Sequence, residues 1–449
     1  MHTNTKIQPR TFFGQPMALA FLSFTEAWER FSYYGMTSIL VLYMSQALLT
    51  PGHVEGIVGF TGFRAALESV FGPMTTLALA SQIMGLYTGL VYFTPVLGGW
   101  VADRWIGRRA AVMVGAVMMS AGHLAMAFDA SFLFALLLLV SGCGLLKGNI
   151  STQVGELYAE TDGEGRTRAF AIFSIGINVG AVVGPLLCGL LAQLYGWHAG
   201  FGLAGALMLI GLCTYIAGLR YLPPDRPRRA QAGTKVALDH RQWRIVAALA
   251  VVAAITIFQS IGYYQNTNMN LVWINRSVDL DLLGFHVPVA WFNSIDPLSS
   301  ILGVPVLLAL WRFQAARGSE PDDLGKIGTG AWLTVLANLL LVVACLIGAR
   351  VNVLFPIIYD ILLGLGFLYY WPTLLALVSR AAPASVKATM MGAVFLSLFV
   401  ANTLIGWLGG FYEHMTPAGF WAMHAGIAAT GGVLAFVLKR PLKRALEIT

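Results

Sequence analysis

Apolar residues run through this chain in blocks, not in alternation. "AVMVGAVMMSAGHLAMAF", "FLFALLLLVSGCGLL" and "AGALMLIGLCTYIAGL" are three of these blocks. Each approaches the roughly 20 residues that cross a bilayer as a helix. Because the runs are continuous, they predict membrane helices and not barrel strands. Twelve spans follow, at roughly 16–49, 75–103, 109–128, 131–158, 167–194, 197–221, 244–275, 289–314, 328–348, 352–380, 387–412 and 418–438. The longest polar interruption, "RYLPPDRPRRAQAGTKVALDHRQWR" at 220–244, splits them six and six. This predicts an N-terminal bundle over 1–221, a linker over 222–243 and a C-terminal bundle over 244–449. Two helical bundles joined by a linker are the architecture of a carrier that rocks about a central site.

Composition agrees with that pattern. Of 449 residues, 57% are hydrophobic and 11% are charged, against about 25% charge in a soluble chain. The net charge of +7 suggests nucleic acid only until its location is considered. Of the 28 Lys and Arg, 23 lie in the N-terminus, the C-terminal tail and the loops after even-numbered spans. The loops after odd-numbered spans hold Arg64, Arg276 and Arg350, and two more, Arg30 and Lys147, lie inside spans. This bias predicts both termini in the cytoplasm, in a plasma membrane or a bacterial inner membrane. The cysteines Cys143, Cys188, Cys213 and Cys345 lack metal-ligand spacing and read as small buried hydrophobes. No cleavable signal peptide is expected, because the first apolar run is too long for one.

Charges inside apolar spans are costly and mark candidate sites. In "FTEAWERFSYYGM" (24–36), Glu26, Glu29 and Arg30 share a helical face that continues through Tyr33, Tyr34 and Thr37. Two carboxylates on one arginine leave an acid free to titrate. Lys147 lies in "GCGLLKGN", about eleven residues from the end of span four, too deep for ordinary snorkelling. Asn178 lies between glycines in "FSIGINVGAVVGP", where it either binds a ligand or joins two helices. Tyr92 is in span two. The loop "GGWVADRWIGRR" (98–109) holds Gly99, Asp103, Arg104, Gly107 and Arg108, and its adjacent glycines predict close helix approach. A corresponding basic loop, "RFQAARGSEPDDLGK" (312–326), sits where an internal repeat would place it.

Together these motifs resemble a known family. The loop at 98–109 resembles the loop signature of the major facilitator superfamily. "EAWERFSYYGM" matches the ExxERFxYYG signature of proton-coupled oligopeptide transporters at every fixed position. "LKGN", "INVGAVVGP", "YYQNTNMN", "FNSIDPL" and "ARGSEP" follow in that family's order. The resemblance implies an all-α fold of twelve helices in two bundles and import of di- and tripeptides driven by a proton gradient. It also implies a carboxylate-binding pocket of Arg30, Tyr33, Tyr34, Tyr92, Lys147 and Asn178, with Gln265 in the substrate site. Glu26 and Glu29 would take the proton beside Arg30. No cofactor is expected, and each chain holds a complete site, which suggests a monomer.

The second half departs from the family. Tyr264 stands where a glutamate precedes Gln265, Phe367 stands where span ten usually carries an acid, and Thr37 replaces an arginine. Conversely, Asp296 before Pro297 replaces a family asparagine, and Asp360 lies two turns before Phe367 on the same face. Asp296 either replaces the lost glutamates, as amine anchor or proton site, or caps a helix start. Asp360 is a further proton-site candidate. A small anion or organic acid is the alternative substrate. An enzyme is disfavoured: no H-E-x-x-H or G-x-S-x-G motif occurs, and His53, His123, His198, His286, His414 and His424 are scattered. A sensor that kept the fold has no use for the Glu26–Glu29–Arg30 cluster.

Overall fold

A computed structural model describes residues 11–12, 14–159, 161–225 and 238–447. The N-terminal set contains α1 (Met17–Tyr43), α2 (Phe60–Phe71), α3 (Thr76–Val101), α4 (Arg108–Ala125), α5 (Phe132–Glu156), α6 (Gly163–Tyr195) and α7 (Trp197–Gly218). The C-terminal set contains α8 (His240–Tyr264), α9 (Met269–Ser277), α10 (Ile295–Ala316), α11 (Asp323–Ile347), α12 (Leu354–Ala381), α13 (Lys387–Gly409), α14 (Pro417–Val437) and α15 (Lys439–Leu446). Ten of these are long and apolar enough to cross a membrane. Two more, α1 and α4, complete twelve: α1 breaks its apolar run with Glu26, Glu29 and Arg30, and α4 opens on Arg108 and Arg109. The result is an all-α multi-pass membrane protein with six crossing helices in each half. Residues 226–237, most of the expected linker, lie outside the described residues.

Several helix starts follow from local sequence. Asp239 and Gln242 form a reciprocal capping box at α8. Asp322 caps α11 by accepting from the Gly325 N–H, and Thr416 caps α14 with Pro417 at its first position.

Three departures from the expected spans have physical causes. Span seven is not one helix. Its helix α8 ends at Tyr264, a tight turn covers Gln265–Thr267, and Asn268 sits at φ −121° and ψ −103° before α9 resumes. Asn266 and Asn268 turn their amides to other helices, donating to Asp296 Oδ2 at 3.5 Å and to Ser81 Oγ at 2.8 Å, while Gln265 Oε1 accepts from the Met269 N–H at 3.3 Å across the break. The short α2 and α15 stand where the predicted spans leave a loop and a tail. Each packs an i, i+4 or i, i+7 apolar pair inward: Phe60 with Leu67, and Leu442 with Leu446.

Close helix approach depends on single glycines. A Cβ on Gly98 would collide with the Gly144 backbone, so α3 and α5 touch there. Its neighbour Gly99 has nothing within 4 Å of that position, so the expected close approach belongs to Gly98 alone. A Cβ on Gly180 would lie 2.6 Å from the Ala27 carbonyl and 2.8 Å from Arg30 Cβ, which locks α6 against the charged stretch of α1. All four cysteines are free, and Cys143 and Cys188 are buried. Cys213, however, is exposed on α7, against the expectation that it is a buried hydrophobe.

Contacts between the halves gather toward the face opposite the termini. The Ser294 hydroxyl donates to the Val182 carbonyl at 2.7 Å, and Trp291 Nε1 donates to the Leu186 carbonyl at 2.8 Å. Thr75 meets Glu413 on the same face. On the terminus face, every ion pair among the described residues stays within one half. Examples are Asp103–Arg108–Glu156 in the first half and Asp322–Lys439 in the second.

Candidate functional site

The charged stretch of α1 folds into one cluster. Arg30 Nε lies 3.1 Å from Glu26 Oε1 and also contacts the Glu29 carboxylate, and all three side chains are at most 3% exposed. Mutual pairing is what makes burial of such a group tolerable. Pairing is incomplete, since Arg30 Nη2 and Glu26 Oε2 have no hydrogen-bond partner among the described residues. Lys147 on α5 stands over the Tyr92 ring, with Nζ 4.8 Å from its centroid, a cation–π contact. No carboxylate lies within ion-pair distance of Lys147 among the described residues.

Between the halves lies a cavity of about 160 Å³. Tyr33, Tyr34, Tyr92 and Asn178 line it from the first half, and Tyr263, Tyr264, Asn266, Asp296 and Phe367 line it from the second. Tyr264 donates its hydroxyl to the Tyr92 hydroxyl at 3.2 Å and so bridges the two halves. Asn178 donates to the Ser174 carbonyl at 2.9 Å while still facing the cavity. Phe367 stacks on Tyr263, with centroids 5.2 Å apart and planes 23° apart, so an aromatic pair fills the place where an acid was expected. The Thr37 hydroxyl donates to the Tyr33 carbonyl at 2.9 Å.

Asp296 is buried and lines the cavity. It accepts from the Tyr263 hydroxyl and from Asn266 Nδ2 at 3.5 Å. It sits within the first turn of α10, whose N-cap is Ser294, and accepts no backbone N–H. Its side chain therefore faces the site and does not cap the helix. Asp360 is buried on α12 and is absent from the cavity wall. One turn on, a Cβ at Gly364 would lie 2.8 Å from Asp296 Oδ1, so α12 and α10 meet closely there.

Three expected substrate contacts, Arg30, Lys147 and Gln265, do not form the cavity wall. Arg30 and Lys147 lie behind tyrosines that do: Arg30 is 5.4 Å from the Tyr33 centroid, and Lys147 is over Tyr92. Gln265 is turned away and fully engaged. Its Nε2 meets the Ile405 carbonyl at 3.2 Å and His424 Nε2 at 3.0 Å, and its Oε1 accepts from the Met269 N–H at 3.3 Å. It pins the break in span seven and has no group free for a ligand. Sequence reasoning missed Tyr263 and Asn266. The "YYQNTNMN" run contained both, but without the helix break their direction was not legible.

The loop motif forms a separate cluster on the terminus face. Arg108 bridges Asp103 at 2.9 Å and Glu156. Gly107 adopts φ +79°, and Asp225 sits where its Cβ would be. The Arg109 N–H donates to Asp225 Oδ2 at 2.9 Å, and Arg104 lies 5.9 Å from the Trp100 ring centroid.

A family model described as "POT family" matches residues 109–238 and 231–422. The chain is 28% identical to an uncharacterized transporter, YclF, of Bacillus subtilis (strain 168), over 98% of this chain and 97% of that protein. It is likewise 28% identical to a di-/tripeptide transporter of Lactococcus lactis subsp. cremoris, over 96% of this chain and 97% of that protein. A crystal structure of a peptide transporter POT in complex with sulfate superposes with a TM-score of 0.82 at 27% identity, covering 97% of each chain. With the family model matching well over half of its length, the chain belongs to the POT family.

Proposed function

We propose that the protein is a proton-coupled symporter that imports di- and tripeptides or similar small zwitterions by alternating access. The observation that carries this reading is the distribution of charge about the cavity. Arg30 and Lys147 stand behind the wall of the first half, and Asp296 lies on the wall of the second. A zwitterion spans these: its carboxylate is drawn to two cations and the tyrosine hydroxyls, and its ammonium to Asp296. The unpartnered Arg30 Nη2 is a donor held ready for an anion. A proton on Glu26 or Glu29 loosens that acid's hold on Arg30, so proton and substrate carboxylate favour each other's binding. The relatives named for di- and tripeptide transport agree with this substrate class.

In this reading both termini face the cytoplasm, following the Lys and Arg bias. The halves meet on the external side, so the structure corresponds to a carrier facing inward. The protein works without a cofactor, as a monomer, and performs no covalent chemistry. A second reading, transport of a small anion, is favoured by Phe367 and Tyr264 at positions where acids were expected.

The deciding experiment is uptake of labelled Ala-Ala into proteoliposomes, with and without an inward proton gradient. The gradient should stimulate uptake at least tenfold, and Glu29→Gln should abolish that stimulation. Absence of uptake by folded wild-type protein, together with competition by simple anions, would replace the peptide reading with the anion one.

A further inference from the structure

We propose that Asp360 carries a second proton, distinct from the one held by Glu26 and Glu29, and that this proton travels with the substrate. Asp360 is 1% exposed, and its Oδ2 has no hydrogen-bond partner among the described residues. Asp296 Oδ1 is likewise buried without a partner, and faces the α12 backbone at Gly364, one turn beyond Asp360. Two acids therefore share one region of the second half.

Among the described residues, the groups around them supply no positive charge. Tyr359 precedes Asp360 on its own helix, Tyr263 comes from α8, and Tyr34 faces Asp296 from α1. The packed helices α11 and α13 keep Asp323, Lys326 and Lys387 at their terminus-face ends, as α12 keeps Arg380. From α14, His424 is engaged by Gln265 and the Phe420 carbonyl. A buried carboxyl with neither cation nor hydrogen-bond donor is held neutral by a proton. Asp296 differs: two donors support its ionised form.

Charge balance gives the proton its role. Among the described residues, the interior of the crossing segments holds four acids, Glu26, Glu29, Asp296 and Asp360, against two cations, Arg30 and Lys147. A zwitterionic substrate adds one charge of each sign, which leaves two negative charges uncompensated. One proton neutralises a glutamate displaced from Arg30. The substrate ammonium pairs with Asp296, and the remaining proton belongs on Asp360. It comes from water on the face opposite the termini, nearer to which Asp360 lies in α12, and returns to water on the terminus face.

This inference rests on the symport reading, so its test has an arm that needs no substrate. Infrared spectra of the purified full-length protein at neutral pH should show a protonated-carboxyl carbonyl band that Asp360→Asn removes. An unchanged spectrum overturns the proposal. In proteoliposomes, the reversal potential for Ala-Ala flux should show a coupling ratio that falls by one proton in Asp360→Asn and recovers in Asp360→Glu. Ala-Ala counterflow, which needs no gradient, should persist in both variants. An unchanged ratio overturns the proposal, as does loss of counterflow in both, which would make Asp360 a packing residue. If wild-type protein fails to move Ala-Ala, the peptide reading falls and the infrared result still decides for or against Asp360.

Discussion

Arg30 holds two carboxylates with one guanidinium, whereas Asp296 has two neutral donors and no cation. The first arrangement is a self-contained ion cluster; the second is a carboxylate awaiting a charge. Substituting Asp296 by Asn keeps the shape and removes the charge. A charge-assisted hydrogen bond contributes about 1.5–3 kcal/mol, so the KM for Ala-Ala should rise by roughly 10- to 150-fold. Inhibition by N-acetyl-alanine, which has no ammonium, should not change. A KM equal to wild type would remove Asp296 from substrate binding. The sequence made Asp296 visible as an acid in an apolar span. It could not distinguish a helix cap from a cavity ligand, because that depends on where Tyr263 and Asn266 point. Gln265 shows the reverse error: the motif suggested a ligand, and tertiary pairing with His424 and Ile405 used its amide instead.

Among the elements, the twelve crossing helices were legible because bilayer burial demands long apolar runs, and their starts because caps are local. The break between α8 and α9 was not, since it depends on Asp296 and Ser81 engaging the amides of Asn266 and Asn268 from other helices. The tail helix α15 was missed for a similar reason, as eight residues form a stable helix only when docked. Its docking is ionic as well as apolar. Lys439 and Lys443 lie 3.0 and 3.2 Å from Asp322, while Arg241 and Arg244 hold Glu447. The bond from Arg241 holds the Glu447 carboxyl below its usual range. Burial pushes Asp322 up, but the Gly325 N–H and the two lysines outweigh it and lower that carboxyl too. With folded values depressed, both contributions are present above the unfolded carboxylate range and are lost as pH falls through the folded values. Hydrogen exchange over residues 439–447 should therefore stay slow from neutrality to about pH 4 and accelerate below it. Asp322→Ala should give fast exchange at neutral pH; slow exchange in that variant would show that Leu442 and Leu446 suffice.

For the whole molecule, contacts gather on one face and separate ion clusters lie on the other, which in the symport reading corresponds to one end of a rocking cycle. A Cβ on Gly410 would lie 3.3 Å from Ala78 Cβ across the two halves, near the roughly 3.5–4.5 Å of a disulfide. In a background lacking the native cysteines, Ala78→Cys with Gly410→Cys should lock that face. Uptake should vanish under oxidation and return with reductant; undiminished uptake when fully cross-linked would mean the face never opens. The missing cation around Asp296 and Asp360 also sets how steeply a solute can be concentrated. One elementary charge crossing about 100 mV yields about 2.3 kcal/mol, enough to hold a neutral zwitterion at an inside-to-outside ratio of about 50. A second charge moving in the same stroke squares that figure to about 2,500. Two acids in the second half with no cation beside them among the described residues are thus what would separate a scavenger working at trace concentrations from a carrier suited to plentiful food.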